Sequence, residues 1–277
     1  MELLIKAIIL GIIQGLTEFL PVSSSGHIEI GKALFNADFE EDNLTFTIIV
    51  HIATVLSTMV VFRKDILSIL KSLLAFPSKN TLPELEKAKV EEDLKFSLYI
   101  LISMIPVFVV GMFFKDFVEQ FFDGRLPFVG MMLLITGSLL LSTSLIKDNR
   151  ENLSPLKSFL IGIAQAIAVM PGISRSGATI ATGLLLKVDK SKMARFSFLM
   201  VIPPILGMLL LDVKKIMSAE GGYTTEPIVL IAAFIAAFLT GLLACTWMIE
   251  IVKKGKIQYF AYYCFVVGLI AISTLWF

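Results

Sequence analysis

The stretch GIIQGLTEFLPVSSSGH at residues 11–27 occurs a second time, in altered form, as GIAQAIAVMPGISRSGA at residues 162–178. With an offset of 151, Gly11, Gln14, Ser23, Ser25 and Gly26 match Gly162, Gln165, Ser174, Ser176 and Gly177. In each copy an apolar helix meets a proline, a serine-rich turn follows, and a second apolar run begins. Interrupted helices at corresponding positions of two halves indicate a binding site inside a membrane protein.

The composition places the chain in a membrane. Hydrophobic residues make up 56% and charged residues 17%, and the mean hydropathy is +0.85. A net charge of +1 gives no basis for a nucleic-acid-binding surface. Six apolar stretches approach or exceed the length needed to cross a bilayer. They are Thr45–Phe62, Phe96–Phe114, Pro127–Ile146, Phe196–Leu211, Ile228–Ile249 and Ile257–Phe277. Cys245 and Cys264 lie in apolar runs and are expected to be buried free thiols.

The predicted fold is an all-α polytopic membrane protein with two re-entrant helical hairpins and six full transmembrane helices. A single integral membrane domain covers residues 1–277, with a first repeat at 1–126 and a linking span plus second repeat at 127–277. The hairpins are 1–34 and 158–186, and their arms are too short and interrupted to cross alone. Non-helical backbone at membrane depth requires cover by protein or by a watery cavity.

Loop charges predict the orientation. Of 24 Lys and Arg residues, 17 lie in four loops on one side, at 63–95, 147–157, 187–195 and 250–256. The other side carries six, namely Lys6, Lys32, Lys115, Arg125, Lys214 and Lys215. The positive-inside rule makes the first side cytoplasmic and puts both termini outside. The two hairpins then enter from opposite sides, which makes the duplication an inverted-topology repeat.

Glu18 is the first candidate site residue. A carboxylate deep in a membrane helix is costly and marks a functional site unless it is paired, here with Arg175 as the candidate partner. Gln14 precedes it by four residues and therefore shares its helix face. Interhelical hydrogen bonding and substrate contact are both open for Gln14. Gly11 and Gly15 permit close helix packing beside this face.

The serine-rich turns are candidate anion sites. Pro21 and Pro171 stop the first arms, and the serines that follow can cap the second arms. A helix N-terminus presents free N–H groups and positive potential to an anion, phosphate above all. The candidate binding residues are Ser23, Ser25, Gly26, Ser174, Ser176 and Gly177, together with Gln14. The alternative is that the serines act only as caps.

Arg175 and His27 complete the cluster. The guanidinium of Arg175 offers a charged, planar fork that matches phosphate oxygens, although an ion pair with Glu18 is also open. His27 follows three serines and a glycine, and it is a candidate base, nucleophile or metal ligand. His51 lies within an apolar span, where a hydrogen-bonded packing role is favoured.

Together these residues predict an intramembrane phosphate site equipped for phosphoryl transfer on a lipid phosphate or diphosphate. One alternative is a carrier that flips a lipid phosphate, because broken helices in inverted repeats are typical of transporters. A carrier needs no nucleophile beside the arginine, whereas Ser24 and His27 are present. A second alternative is a non-catalytic lipid-binding scaffold, for which Glu18→Gln would be nearly silent.

Both motifs resemble those of bacterial undecaprenyl-diphosphate phosphatases of the bacitracin-resistance type. QGLTEFLPVSSSGH contains the family's (Glu/Gln)-x-x-x-Glu segment as Gln14 and Glu18, and Pro171–Gly177 contains its Pro-Gly-x-Ser-Arg-Ser-Gly segment. The resemblance extends over the whole chain in length and span pattern. It implies hydrolysis of undecaprenyl diphosphate to the monophosphate carrier of peptidoglycan synthesis, and hence bacitracin resistance.

The resemblance also implies site residues and a cofactor. Glu18, Ser24, His27 and Arg175 match positions that the family treats as catalytic. It implies a divalent cation, Mg²⁺ or Ca²⁺, for which Glu18 is the candidate ligand; Gln14 removes the second carboxylate that many members have. The protein is expected in the bacterial plasma (inner) membrane, with its site open mainly to the extracytoplasmic side. Whether a serine or a histidine is the nucleophile stays open. The oligomeric state is also open, and a homodimer is one candidate.

Overall fold

The computed structural model describes residues 1–35, 43–114, 117–118, 120–121, 126–146, 150–207 and 226–274. Within these residues the regular structure is helical apart from one isolated β-bridge between Glu151 and Val188. The prediction of an all-α fold is therefore confirmed. The helices are α1 (Glu2–Thr17), α2 (Ser24–Phe35), α3 (Asn43–Val61), α4 (Arg63–Ala75), α5 (Glu84–Phe113), α6 (Leu126–Ser142), α7 (Pro155–Ile167), α8 (Arg175–Leu185), α9 (Lys190–Leu199), α10 (Pro227–Lys253) and α11 (Tyr259–Ser273).

Long apolar helices identify a multi-pass membrane protein. In the described part of the chain three helical segments are long and apolar enough to cross a bilayer: Glu84–Phe113, Leu126–Leu145 and Pro227–Lys253. A fourth span results if α3 and α4, which bend by 75° at a short break, count as one. The shorter helices α7 and α11 are also apolar. The count of six spans stays a prediction, and Lys115, Arg125, Lys214 and Lys215 lie outside the described residues.

The first predicted hairpin is formed by α1 and α2, which pack against each other. Helix α1 ends at Thr17, and irregular turns carry the chain through Pro21. Ser23 then adopts a positive φ of 70°, a left-handed conformation that is uncommon for a residue with a Cβ. Helix α2 begins directly afterwards, at Ser24. Strained backbone of this kind persists where surrounding contacts hold it, often at functional sites.

The second hairpin, α7 and α8, is capped as predicted. Pro155 occupies the first turn of α7, where its missing N–H costs nothing, and the Ser154 side chain caps that helix. Gly172 has a φ of +94°, which turns the chain after Pro171. The Ser174 side chain caps α8 by accepting a hydrogen bond from the Gly177 N–H. Both second arms thus begin inside the protein with a serine at or next to the N-cap.

Each hairpin packs its first arm against a long helix of the other half of the sequence. Helix α1 packs against α10, and α7 packs against α5. Gly11 faces the backbone of Ala233 so closely that an added Cβ would lie 2.5 Å from its carbonyl oxygen. Gly162, the offset match of Gly11, faces the backbone of Ser103 in the same way. The predicted close packing at Gly11 is therefore confirmed, and it occurs in both hairpins.

A charged network joins α4, α5 and α9 at one end of the molecule. Asp93 is buried and accepts hydrogen bonds from Ser68 (2.7 Å) and Ser72 (3.0 Å). Arg195 pairs with Asp65 at 2.6 Å, approaches Asp93 at 3.5 Å, and stacks over an aromatic ring. The first part of α5, from Glu84 to Lys95, is polar and continues without a break into the apolar span.

Candidate active site at the two hairpin turns

The turns of the two hairpins touch each other in the interior. The Ser176 hydroxyl donates to the Leu20 carbonyl at 3.2 Å. A Cβ built on Gly26 would lie 3.3 Å from the Gly172 Cα, and one built on Gly177 would lie 3.3 Å from the Pro21 Cβ. The two serine-rich turns are therefore in contact in the structure.

The two turns repeat the same hydrogen bonds. The hydroxyls of Ser23 and Ser25 lie 3.3 Å apart, and those of Ser174 and Ser176 also lie 3.3 Å apart. The Gly26 N–H donates to the Ser23 hydroxyl at 3.3 Å, and the Gly177 N–H donates to the Ser174 hydroxyl at 3.0 Å. Equivalent residues of the two sequence copies thus have equivalent roles, with Ser23 and Ser174 acting as caps.

Glu18 is the centre of the site. Its carboxylate is buried, with the residue only 8% exposed, and it accepts three side-chain contacts. The Gln14 amide donates to Oε2 at 3.0 Å and the Ser24 hydroxyl donates to the same oxygen at 2.7 Å. Arg175, from the other hairpin, forms an ion pair with Oε1. The structure therefore brings together four of the predicted site residues, Gln14, Glu18, Ser24 and Arg175.

His27 lies in the same turn but contacts a different helix. Its Nδ1 lies 2.8 Å from the Ser23 carbonyl oxygen, and its Nε2 lies 2.7 Å from the Tyr263 hydroxyl. The two rings also stack, with centroids 5.6 Å apart and an interplanar angle of 15°. Sequence reasoning did not identify Tyr263, which lies 236 positions from His27 in an apolar run that contains two further tyrosines. Nothing in that run points to the first hairpin.

His51 makes the local hydrogen bond that was expected for a packing role. Its Nδ1 lies 2.8 Å from the Thr47 carbonyl oxygen on the same helix. Cys245 and Cys264 are both buried and free, as predicted.

A small cavity lies beside the ion pair. Its volume is about 10 Å³, roughly the space of one water molecule. Its walls include Glu18 and Arg175 together with five hydroxyl side chains, those of Thr54, Thr58, Ser176, Thr179 and Ser197. A diphosphate needs far more room, so in this arrangement the Glu18–Arg175 pair would have to separate before a phosphate could reach both residues.

Whether a divalent cation fits this site depends on the oxygen ligands available beside Glu18. No cluster of three or more His, Cys, Asp or Glu side chains that could hold a metal occurs among the residues that the structure describes. However, Gln14 Oε1 is buried without a hydrogen-bond partner next to the Glu18 carboxylate. Mg²⁺ is commonly held by one or two protein oxygens plus substrate phosphates. Glu18 and Gln14 fit an ion of that kind, which the substrate would complete.

Comparison with known proteins gives one consistent result. The family model described as bacitracin resistance protein BacA matches residues 7–270. A protein named undecaprenyl-diphosphatase from Christiangramia forsetii is 53% identical over 268 residues, which is 96% of each chain. Its namesake from Parabacteroides distasonis is 53% identical over 97% of each chain. A more distant one, from Korarchaeum cryptofilum, is 37% identical over 98% of each chain.

Proposed function

Because the chain belongs to the bacitracin resistance protein BacA family, we propose that it is an undecaprenyl-diphosphatase. It hydrolyses undecaprenyl diphosphate to undecaprenyl phosphate and inorganic phosphate at an intramembrane site. The reaction recycles the lipid carrier of peptidoglycan synthesis and thereby confers bacitracin resistance. The relatives that carry this name cover nearly the whole chain, which supports the transfer of their activity to it.

The observation that carries this proposal is the contact of Glu18 with both Ser24 and Arg175. A hydroxyl 2.7 Å from a buried carboxylate has its proton acceptor in place. The arginine on the other carboxylate oxygen supplies fixed positive charge for phosphate oxygens. A nucleophile, a base and a guanidinium are the parts that phosphoryl transfer requires.

Two chemical steps follow from this geometry. The diphosphate separates the ion pair and takes Arg175 onto its terminal phosphate. Ser24 Oγ attacks the terminal phosphorus and passes its proton to Glu18. A bond from Oγ to phosphorus forms, the bridging oxygen–phosphorus bond breaks, and undecaprenyl phosphate leaves. Water then attacks the phosphoserine, the bond between Ser24 Oγ and phosphorus breaks, and Glu18 returns its proton to Oγ. Dihydrogen phosphate leaves with both hydrogens of the water, which restores Ser24 and Glu18.

His27 has a supporting part in this scheme. Its Nε2 contacts Tyr263, and the Ser24 hydroxyl donates to Glu18. This arrangement favours Glu18 as the base for Ser24. The hydroxyls Ser23, Ser25, Ser174 and Ser176, with the backbone N–H groups of Gly26 and Gly177, are proposed to bind the phosphate groups. A cation held by Glu18 and Gln14, Mg²⁺ or Ca²⁺, would neutralise phosphate charge as a Lewis acid.

The proposed architecture is the inverted-topology repeat with two re-entrant hairpins and six spans. The matched serine turns and the matched glycine contacts at Gly11 and Gly162 support a structural duplication. The repeats are 1–126 and 127–277, in one domain. Both termini lie outside a bacterial inner membrane, and the site opens mainly to the extracytoplasmic side. A homodimer is compatible with this arrangement.

Phosphate release from undecaprenyl diphosphate by the purified protein tests the activity. Release is expected with Mg²⁺ or Ca²⁺ and is expected to stop with chelator. Arg175→Ala should lower kcat by about 100-fold or more while KM changes less, because charge on the phosphate grows in the transition state. Arg63→Ala, at an exposed arginine, is the matched control.

Three outcomes would redirect the proposal. An Arg175→Ala protein with raised KM and intact kcat would remove the arginine from transition-state stabilisation. Trapping of phosphohistidine instead of phosphoserine would reassign the nucleophile from Ser24 to His27. Well-folded wild-type protein that binds the lipid without releasing phosphate would favour the carrier alternative, which a lipid-flipping assay would then test.

A further inference from the structure

We infer that Tyr263 is a positioning residue for His27, an inference that rests on the proposed phosphatase function. The Ser23 carbonyl can only accept a hydrogen bond, so Nδ1 of His27 carries a proton. In the neutral ring Nε2 therefore holds the lone pair, and the Tyr263 hydroxyl donates to it at 2.7 Å. The pair of contacts selects one tautomer of His27.

The same contacts fix the ring in space. Tyr263 lies on α11 and approaches His27, in the first turn of α2, from across the fold. Its ring stacks on the imidazole while its hydroxyl bonds to the ring nitrogen, so both the plane and the direction of His27 are set. A hydroxyl both donates and accepts, so the contact can persist if Nε2 takes up a proton. The orientation of the His27 ring is therefore the same in either protonation state.

Tyr263→Phe is the test variant because it keeps the ring and removes only the hydroxyl. We expect kcat to fall by about 10- to 100-fold with KM little changed, as for a displaced catalytic group. Tyr262→Phe is the matched control, since the neighbouring ring is 59% exposed. In a His27→Ala background, Tyr263→Phe should cause no further loss, because both changes remove the same function. Additive losses would overturn the inference.

A second readout does not depend on activity. Nitrogen-15 NMR of labelled histidine reports the protonated nitrogen of His27 in the full-length protein. We expect the Nδ1–H tautomer in wild type and a mixture of tautomers in Tyr263→Phe. An unchanged spectrum would overturn the positioning role even if the wild type releases phosphate. A changed spectrum without phosphate release from wild type would instead count against the proposed function alone.

From a separate observation, we propose that α4 and the cleft beside it bind an anionic phospholipid. Leu67, Leu70 and Leu74 repeat at helical spacing and are 54%, 51% and 83% exposed. The opposite face, with the buried Ser72, is fixed to Asp93 of α5. Such an amphipathic helix lies in a membrane interface with its leucines toward the hydrocarbon.

The bend in the chain agrees with this placement. Helix α3 is apolar, and α4 departs from it by 75°. A helix nearly perpendicular to a membrane span runs along the bilayer surface. Beside the leucines, a cleft of about 430 Å³ opens between α4 and α5. Lys64, Lys71 and Lys89 line it together with Glu86, which places three cations against one carboxylate in the cleft.

Leucines and lysines side by side favour a lipid over free phosphate. Acyl chains cover the leucines, while the lysines attract the phosphate and the net negative charge of the headgroup. A zwitterionic headgroup offers the same acyl chains without net charge. The proposed ligand is therefore an anionic phospholipid such as phosphatidylglycerol, in the leaflet next to α4.

Lipid selectivity of the full-length protein tests this site. Spin-labelled phosphatidylglycerol and spin-labelled phosphatidylcholine are compared in phosphatidylcholine bilayers that contain the protein. We expect several-fold preference for immobilising phosphatidylglycerol, lost in Lys64→Gln/Lys71→Gln/Lys89→Gln. The charge-matched control Lys253→Gln/Lys254→Gln/Lys256→Gln should keep it. Equal loss in both triple variants, or no preference in wild type, would overturn the proposal.

Discussion

Ser24 and Arg175 occupy equivalent positions of the two sequence copies, because 151 residues separate them. The same offset sets Glu18 against Val169, and His27 against Ala178. The copies therefore keep the same caps and turns but differ at the reactive positions. The first copy supplies the carboxylate, hydroxyl and imidazole, and the second supplies the guanidinium. Gln165 shows the effect of this divergence, since its amide is buried without a hydrogen-bond partner where Gln14 has Glu18.

Glu18→Gln tests the carboxylate. The amide can neither accept the Ser24 proton nor pair with the Arg175 charge, so we expect kcat to fall by about 100-fold or more. Phosphate release at saturating substrate is the measurement. Glu29→Gln, at an ion-paired carboxylate of the same hairpin, is the control and should change activity little. A nearly silent Glu18→Gln would favour the scaffold alternative.

Gln14→Glu tests the cation site. A carboxylate at this position would add a second charged oxygen ligand beside Glu18, and Mg²⁺ affinity rises with ligand charge. We expect activity to persist and the Mg²⁺ concentration for half-maximal activity to fall, by about 10-fold. A titration of phosphate release against Mg²⁺ measures it. An unchanged titration would place the cation away from Gln14.

At the scale of elements, glycines set how closely the hairpins approach the long helices. Gly11 against Ala233 and Gly162 against Ser103 are contacts of backbone with backbone. A side chain at either position would push apart two helices whose separation also fixes the turns. The site geometry therefore depends on residues that touch neither the substrate nor one another.

Gly11→Ala is expected to destabilise the protein by about 1–3 kcal/mol, the usual cost of overpacking. The added methyl group would meet the Ala233 carbonyl, which is backbone and moves little. Thermal unfolding in detergent, followed by loss of monodisperse protein, measures the change. The control is Gly111→Ala in α5, where an added Cβ meets nothing within 4 Å and helix propensity favours alanine. Equal effects in both variants would contradict the packing argument.

At the scale of the whole molecule, the proposed orientation is open to a labelling test. Glu2→Cys should react with a membrane-impermeant maleimide in intact cells. Ser78→Cys, in the lysine-rich segment, should react only after permeabilisation. The natural Cys245 and Cys264 have no exposed surface, so they give a low background. Labelling of both engineered cysteines from the same side would contradict the proposed topology.

The features of the fold that could be predicted from the sequence are those set by residues close together in the chain. Helix α2 starts at Ser24 and α8 starts after Ser174, where the serine-rich turns were expected to cap the second arms, because caps act within one helical turn. Helix α1 ends at Thr17, before the predicted stop at Pro21, and α5 begins at Glu84, before the predicted apolar span at Phe96. Hydropathy marks the apolar part of a helix and not its polar extension.

For the candidate site, too, the sequence indicated which residues take part, whereas the structure was needed to show how they pair. Glu18 and Arg175 were candidates because charged residues in apolar segments stand out in the sequence, whereas Ser24 was distinguished from its neighbouring serines only by the family resemblance. Their pairing, with Glu18 accepting from Ser24 and holding Arg175, required the structure. Tyr263 was missed, because a tyrosine in an apolar run near the C-terminus is ordinary in a membrane protein.

By itself the sequence determined the membrane class, the duplicated broken hairpins and the residue types of the site, because composition, prolines and caps act over a few residues. The tertiary structure decided which atoms meet. Contacts such as Arg175 with Glu18 or Tyr263 with His27 join positions 157 and 236 residues apart. Helix α6 packs against α2, α8 and α11 and so brings such distant positions together, and no local pattern encodes that distance.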